Sequence, residues 1–222
     1  MGQWKWAMET LSVIVVAVPF SFALGLALGT LAWRSRLAER ILNPILNIAQ
    51  SLPHFAYMVP VVVFIGVGPK AGAIVTIIFS VPPMIRMTLL GLRGVSPEII
   101  ESGKMSGTTR LQLMTRVRLP AARTEILIGM NQVIMQSLAM VGLASFSGMP
   151  GLGQKLLQLL QALKIGLSVE IGITIVLLAI VLDRMSKAWA VKQPEHVAGP
   201  WLHRHRHLVI WLGLVALCFV LG

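Results

Sequence analysis

The chain has a single cysteine, Cys218, so no internal disulfide can form, and the default for this residue is a small buried hydrophobe. Charge is also scarce. Charged residues make up 12% of the chain, where a soluble domain carries roughly a quarter, and its 8 acidic residues face 19 Lys and Arg. No Gly-x-x-x-x-Gly-Lys-Ser/Thr loop occurs, so the chain has no phosphate cradle of its own. The first apolar run is not expected to be a signal peptide. Glu9 rather than a basic residue stands ahead of the first apolar run, and no cleavage site of small residues follows a short apolar core.

What it has in abundance is apolar sequence: 56% of residues are hydrophobic, with a mean hydropathy of +0.81. Three uncharged runs, Leu11 to Trp33, Ile41 to Pro69 and Ile126 to Gln154, exceed the length of about 20 apolar residues that a bilayer crossing requires. Two more, Ala71 to Leu92 with Arg86 and Gly166 to Trp189 with Glu170 and Asp183, qualify once a charge near an end reaches the interface. A sixth run, Leu208 to Gly222, is short for a span. The connections are too short to hold an independent core, which predicts one all-α integral-membrane domain over 1–192 and a basic connector with a partial or final span over 193–222.

Lys and Arg alternate with the spans. Arg34, Arg36 and Arg40, then Arg93 to Arg123, then Arg184 to Arg206 fall on one side, while Lys5, Lys70, Lys155 and Lys164 fall on the other. The richer side is cytoplasmic. This distribution accounts for the net charge of +11 without nucleic acid. It also puts Met1 outside and predicts a further span upstream. His196, His203, His205 and His207 alternate with Arg204 and Arg206. Adjacent positive charge opposes metal capture there, and an anchor to anionic lipid is the expected role.

The longest cytoplasmic loop, about 94–120, carries an ordered pattern. Ser96, Pro97 and Glu98 form a helix start signal, and Leu119-Pro120 is expected to interrupt the helix that follows. Small residues at Ser102, Gly103, Ser106 and Gly107 are expected to let another protein approach the backbone closely, with Glu101 offering it a carboxylate. Glu101-Ser102-Gly103, three residues, Gly107, nine residues, Val117, one residue, Leu119-Pro120 resembles the coupling loop of binding-protein-dependent ABC importer permeases. The family pattern is Glu-Ala-Ala, three residues, Gly, nine residues, Ile, one residue, Leu-Pro. Spacing matches without insertion, while Ser102 and Gly103 replace alanines and Val117 replaces isoleucine.

The resemblance extends through Leu42 to Pro60, Pro82 to Gly91, Gly151-Leu152-Gly153 and Leu182-Asp183-Arg184, which look like the branch importing glycine betaine, proline betaine, choline and related compatible solutes. It implies a type I importer permease in the bacterial inner membrane, with a bundle of five core spans, a sixth candidate and a cytoplasmic coupling helix. It further implies ABC ATPase subunits that use ATP and Mg, an extracytoplasmic solute-binding protein, and a second permease copy or homologous half. The chain itself is expected to hold no cofactor, metal or catalytic residue. Selectivity is expected to reside in the binding protein, because the chain has one tyrosine and several tryptophans near span ends.

Candidate pathway residues follow from polarity at membrane depth. Pro44, Pro53 and Pro60 predict a kinked or broken second span near His54 and Tyr57, where broken backbone is tolerated if it lines a cavity or packs on protein. His54 is open to either reading. Asn131, Gln132, Gln136 and Ser137 give the fourth span a polar flank that either lines the pathway or bonds neighbouring helices. Met149 and Leu152, in a glycine-rich extracytoplasmic break, suit a gate, with a plain turn as the alternative. Arg86 and Asp183 are expected to pair at the inner ends of their spans, with snorkelling of Arg86 as the competitor. The alternatives for function are an ATP-independent secondary transporter or channel, disfavoured by sparse intramembrane acids, and an intramembrane enzyme, for which His54 alone is a poor basis.

Overall fold

A computed structural model describes residues 3–145 and 148–191. Among them every regular element is helical, in the order α1 (Trp4–Arg34), α2 (Arg36–Ser51), α3 (His54–Ile65), α4 (Pro69–Gly94), α5 (Pro97–Met105), α6 (Arg110–Gln112), a π-helical stretch (Leu113–Arg118), α7 (Leu119–Ala121), α8 (Arg123–Ala144), α9 (Leu152–Gln161) and α10 (Ile165–Val191). Four helices among the described residues, α1, α4, α8 and α10, are long and apolar enough to cross a membrane, and α2 with α3 together pass the same test as a bent pair, either a broken span or a re-entrant loop. The run Leu208 to Gly222, the histidines from His196 onward and Cys218 lie outside the described residues.

α4 forms the centre, packing against α1 on one side and α8 on the other. Its inward residues Val75, Met84, Ile85 and Leu92 are fully buried beside Val133, Met140 and Val141 of α8. Small residues permit the close α1–α4 approach: a Cβ added at Gly29 would lie 2.6 Å from Cβ of Thr88. α10 sits on the outside of α8 and α9 and exposes Val169, Ile173, Val176, Leu177 and Ile180. Such a face suits contact with lipid, where apolar side chains need no further cover.

The expected single span Ile41 to Pro69 is two helices meeting at 97°. Of the three prolines, only Pro53 sits at the break; Pro44 and Pro60 lie inside α2 and α3. The Leu52-Pro53 backbone is extended at both residues, as the restriction on a residue preceding proline favours. The run Ile126 to Gln154 is likewise not one span, since α8 ends at Ala144 and α9 begins at Leu152.

The two ends of the bundle differ in charge. Arg93 at the end of α4 pairs with Glu39 of α2, and the Arg118 guanidinium lies 4.3 Å from the centroid of the Trp33 ring at the end of α1. At the opposite end, the Lys155 ammonium stands 5.8 Å from the Trp6 ring. The arginine-rich loops therefore gather at one end, the arrangement of a chain obeying the positive-inside rule.

Candidate functional site

The cytoplasmic loop folds into a compact element outside the crossings. Pro97 opens α5 as expected, with Glu98 in its first turn, but Ser96 makes no side-chain cap bond. α5 stops at Met105, and Gly107 at φ +71° turns the chain. That left-handed backbone favours glycine. Thr109 then caps the next turn: its hydroxyl accepts from the Gln112 N–H at 3.3 Å, and the Gln112 side chain accepts from the Thr109 N–H at 2.9 Å.

Leu119-Pro120 does not interrupt the helix. The chain widens into the π-helical stretch beforehand, with the Leu119 N–H bonding the Met114 carbonyl five residues back. A proline offers no N–H and its ring crowds the carbonyl four residues behind; the widened turn accommodates both. The break comes two residues later, at Ala122 (φ −82°, ψ 6°).

Gly103 is buried against the loop's own residues, not left open to a partner. A Cβ there would lie 2.9 Å from Leu113 Cδ1 and 3.1 Å from Val117 Cγ2. Thr108 reinforces this contact by donating its hydroxyl to the Gly103 carbonyl at 2.7 Å. Val117 thus has an internal job, clamping α5 to the π-helical stretch, while Ile100, Met114 and Leu119 pack on the main core. Outward face Glu101, Ser102, Ser106 and Pro120, with Met105 and Leu111 among the most exposed apolar side chains. Glu101 forms no ion pair among the described residues. Burial against Trp33 lowers the Arg118 pKa, yet the group stays charged at neutral pH.

The pathway candidates separate into three groups. His54 and Tyr57 lie just past the break, stacked around Phe79 of α4 at centroid distances of 4.3 Å and 6.0 Å. The Tyr57 hydroxyl donates to the Ala49 carbonyl near the end of α2. Asn131 and Ser137 join helices: Asn131 accepts from Ser186 of α10, and Ser137 meets Ser80 of α4 at 3.1 Å. Gln136 keeps a buried Oε1 without a hydrogen-bond partner.

Met149 and Leu152 form no free plug, for both are buried within the chain. Met149 fills a notch at Gly72 lined by Met58 and Val75, and the Leu152 N–H donates to the Thr10 hydroxyl at 3.0 Å. The expected Arg86 to Asp183 pair does not form either. Arg86 bonds the Asn47 amide oxygen at 2.6 Å, and Asp183 pairs with Lys187, one turn on, at 2.8 Å. α2 lies over that face of α4, whereas α10 lies against α8.

Phe79, Asn47, Thr10, Gly72 and the Arg118–Trp33 contact went unanticipated. Only Phe79 had a legible signal, since it precedes Arg86 by seven residues and so shares its helix face.

A crossing bundle with a small, wedged helical element at its arginine-rich end defines a multi-pass membrane protein with a folded cytoplasmic loop. The family model of the binding-protein-dependent transport system inner membrane component matches residues 6–190, and the chain belongs to that family. It is a multi-pass inner-membrane protein.

Its relatives include the trimethylamine N-oxide transport system permease protein of Ruegeria pomeroyi, 57% identical over 96% of this chain and 33% of that protein. The glycine betaine transport system permease protein of Bacillus subtilis is 38% identical over 87% of this chain and 68% of that protein. The chain spans about a third of the length of the trimethylamine N-oxide permeases it matches. The inward-facing MetNI methionine ABC transporter has the same fold, with a TM-score of 0.75 at 21% identity over 84% of this chain and 93% of that one.

Proposed function

We propose that the chain forms the membrane pathway of an ATP-driven importer for a small trimethylated amine, with trimethylamine N-oxide and glycine betaine as the leading solutes. The observation that carries the coupling half is the exposed face of α5 to α7. Met105 and Leu111 are apolar, exposed and outside the crossings, and the exposed carboxylate of Glu101 has no ion-pair partner among the described residues. Such a face suits a protein partner better than water or lipid. The solute half rests on the relatives named above.

In this reading the ATPase subunit receives α5, and its closure on ATP moves the element as a unit. Because Gly103 seats α5 on Val117, and Ile100 and Leu119 seat the element on the core, displacement passes to the crossings. A second copy or homologous half encloses the pathway, and a solute-binding protein delivers the solute from outside. ATP hydrolysis belongs to the partner.

The test is uptake of trimethylamine N-oxide and glycine betaine into proteoliposomes holding the permease, its ATPase and its binding protein. Uptake should require internal ATP and disappear in Glu101→Arg and Gly107→Trp, with loss of ATPase co-purification. Uptake that is independent of ATP and indifferent to both changes would instead establish a secondary transporter.

A further inference from the structure

The break between α2 and α3 lies over one face of α4, and that face carries two features of complementary chemistry. Toward α3 are three rings: His54 against Phe79 at 4.3 Å and a 46° tilt, and Tyr57 edge-on to Phe79 at 6.0 Å. His54 is exposed and Tyr57 and Phe79 are half-buried, so ring surface remains accessible. Toward α2 is Arg86, seven residues or about 10.5 Å of helical rise from Phe79. Arg86 is exposed, and its hydrogen-bond partner is the neutral Asn47 amide, so among the described residues no carboxylate pairs with it.

The rings pack α3 onto α4 and Arg86 ties α4 to α2, while part of each stays exposed. The α4 surfaces turned to α1 and α8 are those of Met84, Ile85 and Thr88 and of Ser80 and Met87. An uncompensated arginine at membrane depth wants an anion or an interface. Ring faces, negative at their centres, want a cation. One small solute carries both charges: a zwitterion with a trimethylammonium head and an oxide or carboxylate.

We propose that the rings of His54, Tyr57 and Phe79, followed by Arg86, form a transient subsite in the permease that accepts trimethylated zwitterions and disfavours cations bearing the same head. The proposal rests on the reading of the chain as a trimethylated-amine importer. The rings hold the trimethylammonium group, which needs no hydrogen bond. Arg86 sets a positive field along the same face, drawing the oxide or carboxylate end inward. A solute of net positive charge, such as choline, feels the same rings but is repelled by Arg86. At about 10 Å and the effective dielectric of a protein, that repulsion gives discrimination on the order of tenfold.

The test uses the permease–ATPase complex in lipid nanodiscs without binding protein, so that selectivity from outside is removed. Saturation-transfer NMR on the trimethyl proton signal reads weak binding of glycine betaine, trimethylamine N-oxide and choline. The parent should bind both zwitterions ahead of choline. Phe79→Leu should weaken zwitterion binding roughly tenfold, and Phe79→Tyr should keep it, because it keeps the ring face. Arg86→Gln should bring choline level with glycine betaine.

Co-purification of the ATPase certifies each variant as folded. Equal signals from Phe79→Leu and the parent, or equal losses in Phe79→Leu and Phe79→Tyr, would overturn the subsite while ATP-dependent uptake in proteoliposomes left the importer reading intact. A parent complex that takes up neither zwitterion in proteoliposomes would overturn the importer reading and the subsite with it.

Discussion

Gly103 provides a graded test of the wedge that joins α5 to the stretch before Pro120. Alanine at this position adds a Cβ that meets first the end of Leu113, at 2.9 Å, and then Val117 Cγ2, at 3.1 Å. The Leu113 methyl is the tip of a flexible side chain and can swing aside; Val117 is β-branched and stiff. Replacing a helical glycine by alanine also gains about 0.8–1.0 kcal/mol of helix propensity, enough to offset a shift of a few tenths of an ångström. Gly103→Ala should therefore transport within about twofold of the parent. Gly103→Leu places three further carbons where the first already collides, and overpacking of this kind costs about 1–3 kcal/mol. Charged to the α5 contact, that lowers the population of the assembled element by roughly 5- to 150-fold. Uptake into proteoliposomes and retention of the ATPase on purified permease are the readouts. The reasoning fails if Gly103→Leu matches the parent, or if Gly103→Ala is as damaged as Gly103→Leu.

Other substitutions test the remaining contacts. Met149→Ala removes a fully buried side chain from the Gly72 notch, and thermal unfolding in detergent should show a loss of about 2–5 kcal/mol. Thr10→Val leaves the buried Leu152 N–H without its acceptor, which should cost about 1–3 kcal/mol by the same measurement. Arg118→Ala removes the guanidinium from the Trp33 ring and should loosen the element by about 0.5–2 kcal/mol, seen as faster hydrogen exchange over residues 97–121. Reversing Arg86 and Asp183 together should rescue nothing, since each has a different partner; restored uptake in the double variant would contradict the structure.

The crossings were readable because membrane insertion depends on length and hydropathy, both local properties of sequence. The break at Pro53 was readable for a similar reason, as one missing donor and one crowded neighbour act within a turn. Which of three prolines breaks the chain was not, because Pro44 and Pro60 are tolerated inside helices whose surroundings keep them straight enough. The loop's spacing picked out a separately folded element, and Ser102, Ser106 and Gly107 do face outward, but Gly103 was misassigned: it serves an internal contact with Val117, fourteen positions away. The Arg86 to Asp183 expectation failed because two charges near the inner ends of separate spans say nothing about which helices are neighbours. A position seven residues from Arg86 did carry usable information, and Phe79 occupies it.

The fastening of the loop after α8 bears on how motion crosses the membrane. Met149 docks on α4 at Gly72, and Leu152 hooks to α1 at Thr10, while α1, α4 and α8 already share one core. In the proposed importer these helices, tied together at their outer tips, would act as a stiff lever with the α5–α7 element as its handle. A tilt applied at the handle would reach the far tip without being absorbed along the way. The compliant part of that importer would be the elbow at Leu52-Pro53, where the helical ladder is interrupted and the Tyr57 bond to Ala49 is the side-chain tie across it, so movement would gather where the rings and Arg86 stand.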